Sequence, residues 1–213
     1  MKWLDKLKVE LASPLPGAEV QWQMAHAARN LIQLPVIPEN AVKAAVLILL
    51  YPDASGNWSI VLIQRKPHKL DRHSGQISLP GGRLEPEDPG PDYAAAREAE
   101  EEVGVPARDI KLLGNLTDLY IPVSGYMVHP FVGVVDFTPS FYPQETEVAG
   151  ILEAPLPLLL SPDTIKFGSI KLSNDFVLSS VPYFDVKGHV VWGATAMILN
   201  EFLWVMRKAK REA

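Results

Sequence analysis

The chain has 213 residues, of which 47% are hydrophobic and 21% are charged, a composition typical of a globular protein with one sizeable core. Its formal net charge of -5 argues against a nucleic-acid partner held by its phosphate backbone, because that mode of binding needs a basic face. The sequence has no cysteine, which excludes disulfides, thiolate nucleophiles and cysteine-ligated zinc.

The N-terminus and the longest apolar stretch indicate where the protein resides. The stretch at residues 44–51 is far too short to span a bilayer, and the opening MKWLDKLKVELASP lacks the apolar run of a signal peptide. We therefore expect a cytoplasmic protein without a membrane partner. We also expect a single domain over residues 1–213, with a helical N-terminal extension at 1–40 and a core at about 43–206.

Periodicity and turn residues predict a mixture of helices and strands. In chain order, a short amphipathic helix is predicted at 3–11, ended by Pro14 and Pro16. Strands are predicted at 44–51, 59–64, 75–79, 111–120, 128–137 and 148–152, and a helix at 93–103 that Gly104 and Pro106 terminate. A hairpin at 183–192, turning at Lys187-Gly188, precedes a helix at 194–206. Because these elements do not alternate as regular βαβ units, an α+β fold with a mixed sheet is favoured over a doubly wound one.

The predicted helix at 93–103 carries three glutamates on one face. Glu98, Glu101 and Glu102 fall within about 100° of one another around the helix axis. Carboxylates at this spacing repel one another, and a divalent cation such as Mg²⁺ turns that repulsion into binding, since it takes oxygen ligands and shares them with substrate phosphates. A solvated acidic face is the ordinary alternative for a Glu-rich helix. Pro80-Gly81-Gly82, where backbone can approach a ligand closely, favours the ligand-binding interpretation.

The same segment resembles the Nudix box. Gly82 opens the box, and its second half is filled by Arg97, Glu98, Ala99, Glu101, Glu102, Gly104 and Val105. One acidic position departs from the pattern: Asp88 stands where the box has Glu, and eight residues rather than seven separate it from Arg97. The resemblance implies a Nudix fold, in which a mixed sheet lies between α-helices and the box forms a loop-helix-loop. It also implies hydrolysis of a nucleoside diphosphate linked to another group, with Mg²⁺ or Mn²⁺ held by Glu98, Glu101 and Glu102, and with Arg97 orienting a neighbouring carboxylate.

The residues that precede the box carry information about the substrate. Between Arg65 and Arg72, four fixed cations lie within eight positions of an otherwise acidic protein. This segment is either a solvated basic loop or an anion-binding loop for a substrate with phosphates beyond the scissile pair. It resembles the coenzyme A pyrophosphatase branch of the Nudix family, matched in order by Leu70, Arg72, His73, Gly75, Gln76 and Pro80-Gly81-Gly82, whereas Leu79 and Asp71 depart from that pattern.

This second resemblance implies that coenzyme A (CoA) or a derivative is cleaved to 3′,5′-ADP and 4′-phosphopantetheine. The candidate substrate-binding residues are Arg65, Lys69, Arg72, His73, Gly75, Gln76, Gly81 and Gly82. A structural role in the loop is equally consistent for His73. Alternative substrates are nucleoside diphosphate sugars and (deoxy)nucleoside triphosphates. An alternative of another class is a non-catalytic Nudix ligand sensor, against which the intact glutamates argue.

A late acidic loop supplies a candidate general base. Some Nudix enzymes use a glutamate from such a loop, which by resemblance makes Glu147 a candidate and Glu145 a weaker one. A solvated acidic loop is the alternative for both residues. The family resemblance is also compatible with a homodimer.

Overall fold

The computed structural model describes residues 2–26, 36–67, 74–172 and 176–211, so residues 27–35 of the predicted N-terminal extension lie outside the described residues. The α-helices within these ranges are α1 (Lys2–Leu11), α2 (Ala18–Gln21), α3 (Pro91–Val103), α4 (Leu156–Leu160) and α5 (Gly193–Arg211). The strands are β1 (Val42–Pro52), β2 (Trp58–Arg65), β3 (Ile77–Ser78), β4 (Gly81–Arg83), β5 (Lys111–Asn115), β6 (Leu119–Ile121), β7 (Tyr126–Val134), β8 (Val148–Pro155), β9 (Ile165–Lys171), β10 (Val177–Val186) and β11 (His189–Trp192).

The central strand β1 belongs to a mixed sheet of eight strands within the described ranges. It runs parallel to β7, from Val42 opposite Tyr126 to Leu50 opposite Val134. On its other edge, its C-terminal end pairs antiparallel with β2 and its N-terminal end with β4. β2 also pairs with β8 and β3, and both β5 and β6 pair with β7. The mixed sheet confirms the predicted α+β class.

Both faces of β1 are covered, which explains why its sequence is a continuous apolar run. On one face, four alternating residues pack in a cluster with alanines and Val103 of α3; they are Ala45, Leu47, Leu49 and Tyr51. On the other face, Ile48 and Leu50 belong to a cluster that includes leucines of α1 and α5. The sheet therefore lies between helices, as the resemblance implied. None of the helices in the described part of the chain is long and apolar enough to cross a membrane.

The segment from β3 to β4 enters the sheet where β1 and β2 diverge. Ile77 and Ser78 pair with β2, whereas Gly81 and Gly82 pair with Val46 and Ala45 of β1. Leu47 also donates its backbone N–H to the Pro80 carbonyl. This insertion places the two glycines beneath α3, where they form one wall of the candidate active site. Only residues 77–78 of the strand predicted at 75–79 are extended in this way.

Helix α3 confirms the predicted carboxylate helix and begins two residues earlier, at Pro91. Proline suits the first turn because its missing N–H has no helical partner there. The helix ends at Gly104, which has a left-handed conformation (φ 76°) and donates its N–H to the Glu100 carbonyl. Ala94, Ala95, Ala99 and Val103 pack against β1. Glu98 and Glu102 lie beside that face, against Gly82 and Gly81 of β4.

A second, three-stranded sheet consists of β9, β10 and β11. The predicted hairpin at 183–192 is confirmed, with its turn at Lys187-Gly188. Strand β9, the first half of β10 and helix α4 were not predicted, because exposed and buried residues follow no clean period there. The N-terminal helix is confirmed as α1 and the C-terminal helix as α5, which extends to Arg211.

The single strand predicted at 111–120 is wrong. The structure has two strands, β5 and β6, which are both paired with β7 and separated by residues 116–118. The interruption occurs where the Thr117 backbone N–H donates to the buried Glu201 carboxylate of α5 at 3.2 Å instead of to a strand. The same carboxylate accepts bonds from the Thr117 hydroxyl at 2.6 Å, the Gly17 N–H at 3.1 Å and the Gln21 amide at 2.8 Å. The Glu201 carboxylate thus links the segment before β1, at Gly17 and Gln21, to α5.

Candidate active site

A cavity of about 360 Å³, here called the box cavity, brings together most of the predicted catalytic residues. Helix α3 contributes three carboxylates to its lining, β4 contributes backbone, and the ends of β2 and of the loop before β8 close it. The residues that line it are Ala44, Arg65, Gly81, Gly82, Arg83, Glu98, Glu101, Glu102, Tyr126, Gln144 and Glu147. Distant parts of the chain thus place four glutamates and two arginines at one cavity.

Glu102 is the most deeply buried of these carboxylates, with 3% of its surface exposed. Its Oε2 atom accepts the Gly81 backbone N–H at 2.8 Å, which fixes the side chain against β4. The pKa of Glu102 is raised to about 8, mainly by burial and also by the negative charges of Glu98 and Glu147, while the Gly81 bond and the positive charge of Arg65 oppose the shift. A carboxylate held this way favours a nearby positive charge.

Glu98 packs directly on Gly82. A Cβ atom at position 82 would lie 2.5 Å from Glu98 Oε1, a distance that no side chain at this position could tolerate without displacing the carboxylate. Burial raises the pKa of Glu98, and the adjacent Arg97 opposes that shift. Glycine at position 82 is therefore needed for the approach of the carboxylate.

Arg97 holds three carboxylates. Its Nε and Nη2 atoms each lie 3.0 Å from one oxygen of Asp88, a bidentate pair. Its Nη1 atom donates to Glu98 at 3.1 Å and to Glu101 at 3.0 Å. The Arg97 bonds hold the pKa of Asp88 below its ordinary value. Asp88 thus reaches Arg97 despite its shifted spacing, because Glu85 and Asp88 close a turn in which each accepts the other's backbone N–H.

The loop that carries Glu147 is anchored to both neighbouring elements. The Gln144 N–H donates to the Glu102 carbonyl at 3.1 Å, and the Lys66 N–H donates to the Glu147 carbonyl at 2.7 Å. The Lys66 ammonium donates to the Glu145 carbonyl. These bonds place the Glu147 side chain at the box cavity, whereas Glu145 is not among the residues that line it.

The carboxylates suit a divalent cation in chemistry but are not prearranged for one. Within residues 2–26, 36–67, 74–172 and 176–211, no group of three His, Asp or Glu side chains is already placed to hold a metal ion. In the box cavity, Glu98 and Glu101 each direct an oxygen at the same nitrogen of Arg97. Yet their oxygens are the ligands that Mg²⁺ and Mn²⁺ prefer. Burial first, and neighbouring carboxylates second, raise the pKa of Glu98 and of Glu102, and a bound cation would stabilise their charged forms. Glu98, Glu101 and Glu102 therefore fit such an ion.

The predicted substrate-binding residues divide into three groups. Arg65, Gly81 and Gly82 line the box cavity. Gly75 and Gln76 line a neighbouring cavity beside the second sheet. Lys69, Arg72 and His73 lie outside the described residues. Arg83 and Gln144 line the box cavity although no motif in the sequence predicts them there. The pairing of Asp88 with Arg97 is the one such contact that the box pattern indicates.

Comparisons with known proteins identify the family of the chain. The family model described as NUDIX domain matches residues 41–165, which contain Arg65, the box and Glu147. The "Uncharacterized Nudix hydrolase NudL" of Yersinia pestis (strain Pestoides F) is 36% identical over 158 residues, 74% of this chain and 76% of that protein. A protein of the same description from Yersinia pseudotuberculosis serotype O:1b (strain IP 31758) has the same identity and coverage. Among solved structures, the MutT/nudix family protein from Enterococcus faecalis covers 91% of this chain and 73% of that chain, at 17% identity and a TM-score of 0.48. The domain match and the relatives show that the chain belongs to the Nudix family of hydrolases.

Proposed function

We propose that this protein hydrolyses the diphosphate bond of CoA or a CoA derivative, with Mg²⁺ or Mn²⁺, to 3′,5′-ADP and 4′-phosphopantetheine or its acyl form. The observation that carries the proposal is the convergence of Glu98, Glu101, Glu102, Glu147 and Arg65 on one cavity. Four carboxylates beside the two arginines Arg65 and Arg83 suit a diphosphate bound together with a cation, because each component neutralises another. The sequence resemblance at Gly75, Gln76 and Pro80-Gly81-Gly82 supports CoA as the substrate.

Each residue has a defined part in this proposal. Glu98, Glu101 and Glu102 would hold the cation, which when bound neutralises the diphosphate and lowers the pKa of water. Arg97, itself paired with Asp88, orients Glu98 and Glu101 through its hydrogen bonds. The Gly81 N–H holds Glu102 in place. Glu147, at the same cavity, is the candidate that accepts the proton of the attacking water. Arg65 would bind the oxygens of the scissile diphosphate. We also propose a homodimer, from the family resemblance, and a cytoplasmic location.

The substrate is tested by incubating the purified protein with CoA, ADP-ribose and dGTP, with Mg²⁺ or with chelator. We expect 3′,5′-ADP to form from CoA only when the metal is present. A clear preference for ADP-ribose or dGTP would overturn the CoA assignment in favour of another Nudix substrate. No turnover of any of the three would favour a ligand sensor.

The metal assignment is tested by isosteric variants of α3. Glu101→Gln and Glu102→Gln remove charge without changing size, and we expect each to lower kcat by about tenfold or more, equivalent to at least about 1.4 kcal/mol in the barrier. Glu100→Gln is the matched control, since Glu100 accepts the Ala107 N–H at 2.9 Å on another face of the same helix. If the first two variants kept kcat within a factor of about three, the metal assignment would be wrong.

A further inference from the structure

The box cavity is the first of three adjoining cavities. A narrow cavity of about 150 Å³, here called the connecting cavity, shares Arg65 and Gly81 with the box cavity. A larger one of about 610 Å³, here called the distal cavity, shares Gln76, Ile77 and Trp192 with the connecting cavity. The shared lining residues place the three cavities next to one another, from the carboxylates to the second sheet.

The distal cavity has the chemistry of an anion site. It lies between Gln64 and Gln76 on one side and the second sheet on the other, which contributes Ser169, Lys171 and His189. Among the described residues that line it, none is acidic, although the chain has a net charge of -5. An ammonium group, an imidazole, hydroxyls and amides all donate hydrogen bonds to phosphate oxygens.

Arg65 lines the box and connecting cavities but not the distal cavity. It lines the box cavity, and its charge acts on Glu102, so it lies beside the carboxylates where the scissile diphosphate would bind. A further phosphate on the substrate therefore needs a different cation. The connecting cavity has largely apolar walls, including Val46, Ile77 and Trp192. Such walls suit the nucleoside to which both the scissile diphosphate and the further phosphate are attached.

We propose that the distal cavity binds a phosphate group of the substrate other than the scissile diphosphate, with Lys171 and His189 as its contacts. The inference rests on the proposed function, in which that group is the 3′-phosphate of CoA. It makes Lys171 and His189 determinants of specificity, although they lie more than 60 residues beyond the box in sequence.

The matched substrates CoA and dephospho-CoA, which differ only in the 3′-phosphate, test this site. Lys171→Ala and His189→Ala are each expected to lower the ratio of kcat/KM for CoA to that for dephospho-CoA by about ten- to a hundredfold, the range of one charge-assisted hydrogen bond. Lys187→Ala removes a charge from the same hairpin at a residue that does not line the cavity, and should leave the ratio unchanged. An unchanged ratio in the first two variants, or an equal change in the control, would overturn the proposal.

A second measurement separates this proposal from the proposed function. Calorimetric titration with 3′,5′-ADP and with 5′-AMP, without metal, needs no turnover. We expect 3′,5′-ADP to bind about tenfold or more tightly than 5′-AMP, and Lys171→Ala to remove that preference. If the preference is found without turnover of CoA, the proposed function fails and the distal site stands. If CoA is hydrolysed but no preference is found, the distal site alone is overturned.

Discussion

Gly82 lies against the carboxylate of Glu98, and this contact makes Gly82→Ala a direct test of the box geometry. A Cβ atom there would lie 2.5 Å from Glu98 Oε1 and 2.6 Å from Cδ, whereas ordinary contact begins near 3.4 Å. Gly82 does not adopt a positive φ, so alanine can take up its backbone conformation. The clash is therefore relieved at the end of the flexible Glu98 side chain, which must retreat by about 1 Å.

A displacement of this size is enough to impair catalysis without unfolding the protein. Misplacing a catalytic group by about 1 Å can cost about a hundredfold in rate. We therefore expect Gly82→Ala to lower kcat/KM for CoA by roughly ten- to a hundredfold, and to weaken Mg²⁺ binding measured by calorimetry. The midpoint of thermal unfolding should remain close to that of the unmodified protein.

The neighbouring glycine provides the matched control, because its environment is rigid. A Cβ atom at Gly81 would lie 2.3 Å from the Ala45 carbonyl oxygen and 2.6 Å from Val46 Cα, and Gly81 has φ +152°. Backbone cannot retreat as a side chain can, so Gly81→Ala should destabilise the fold by about 1–3 kcal/mol or more. If Gly82→Ala kept full kcat/KM, or lost as much stability as Gly81→Ala, this account of the two glycines would be refuted.

Two further predictions concern buried carboxylates. Asp88→Asn should lower the free energy of unfolding by about 1–3 kcal/mol at neutral pH, because it breaks the bidentate pair between Arg97 and the Asp88 side chain, which is 2% exposed. Since the pKa of Asp88 is lowered on folding, its contribution is present above the unfolded value of about 3.9 and is lost as the pH falls through the folded value. The stability difference between Asp88→Asn and the unmodified protein, measured by urea unfolding, should therefore shrink below about pH 4, and a constant difference down to pH 3 would contradict this reasoning. Glu201→Gln places an amide among four hydrogen-bond donors and should lower the midpoint of thermal unfolding by roughly 5–10 °C. The control Glu19→Gln, at an exposed residue, should leave the midpoint unchanged. Equal midpoints for the two variants would show that the hydrogen bonds to the Glu201 carboxylate contribute little to stability.

The parts of the fold that the sequence predicts well are those set by local spacing. Helix α3 follows from its alanines and its glycine terminus, and the i, i+3 and i+4 spacing of Glu98, Glu101 and Glu102 places them on one face whatever the rest of the chain does. The apolar run of β1 likewise identifies a strand buried on both faces. Such features need only the geometry of one element.

Asp88 shows where linear spacing fails. Counting residues in the box placed Asp88 out of register with Arg97 by one position. The two side chains nevertheless form a bidentate pair, because the loop between β4 and α3 turns back on itself at Glu85. Loop conformation absorbs an inserted residue at little cost, whereas a helix cannot. Spacing is therefore decisive within α3 and only indicative outside it.

The same distinction separates the reaction from the substrate. The carboxylates that suit a metal-bound diphosphate come mainly from one helix, so a local motif can identify the chemistry. The walls of the distal cavity come from the end of β2, the residues around β3, and both outer strands of the second sheet, including β9, which the sequence did not predict. Those segments meet only through the pairing of β9, β10 and β11 and the packing of β11 beside β3. The residues proposed to select a substrate are thus brought together by tertiary structure, which is why Lys171 and His189 become candidates only once the chain is folded.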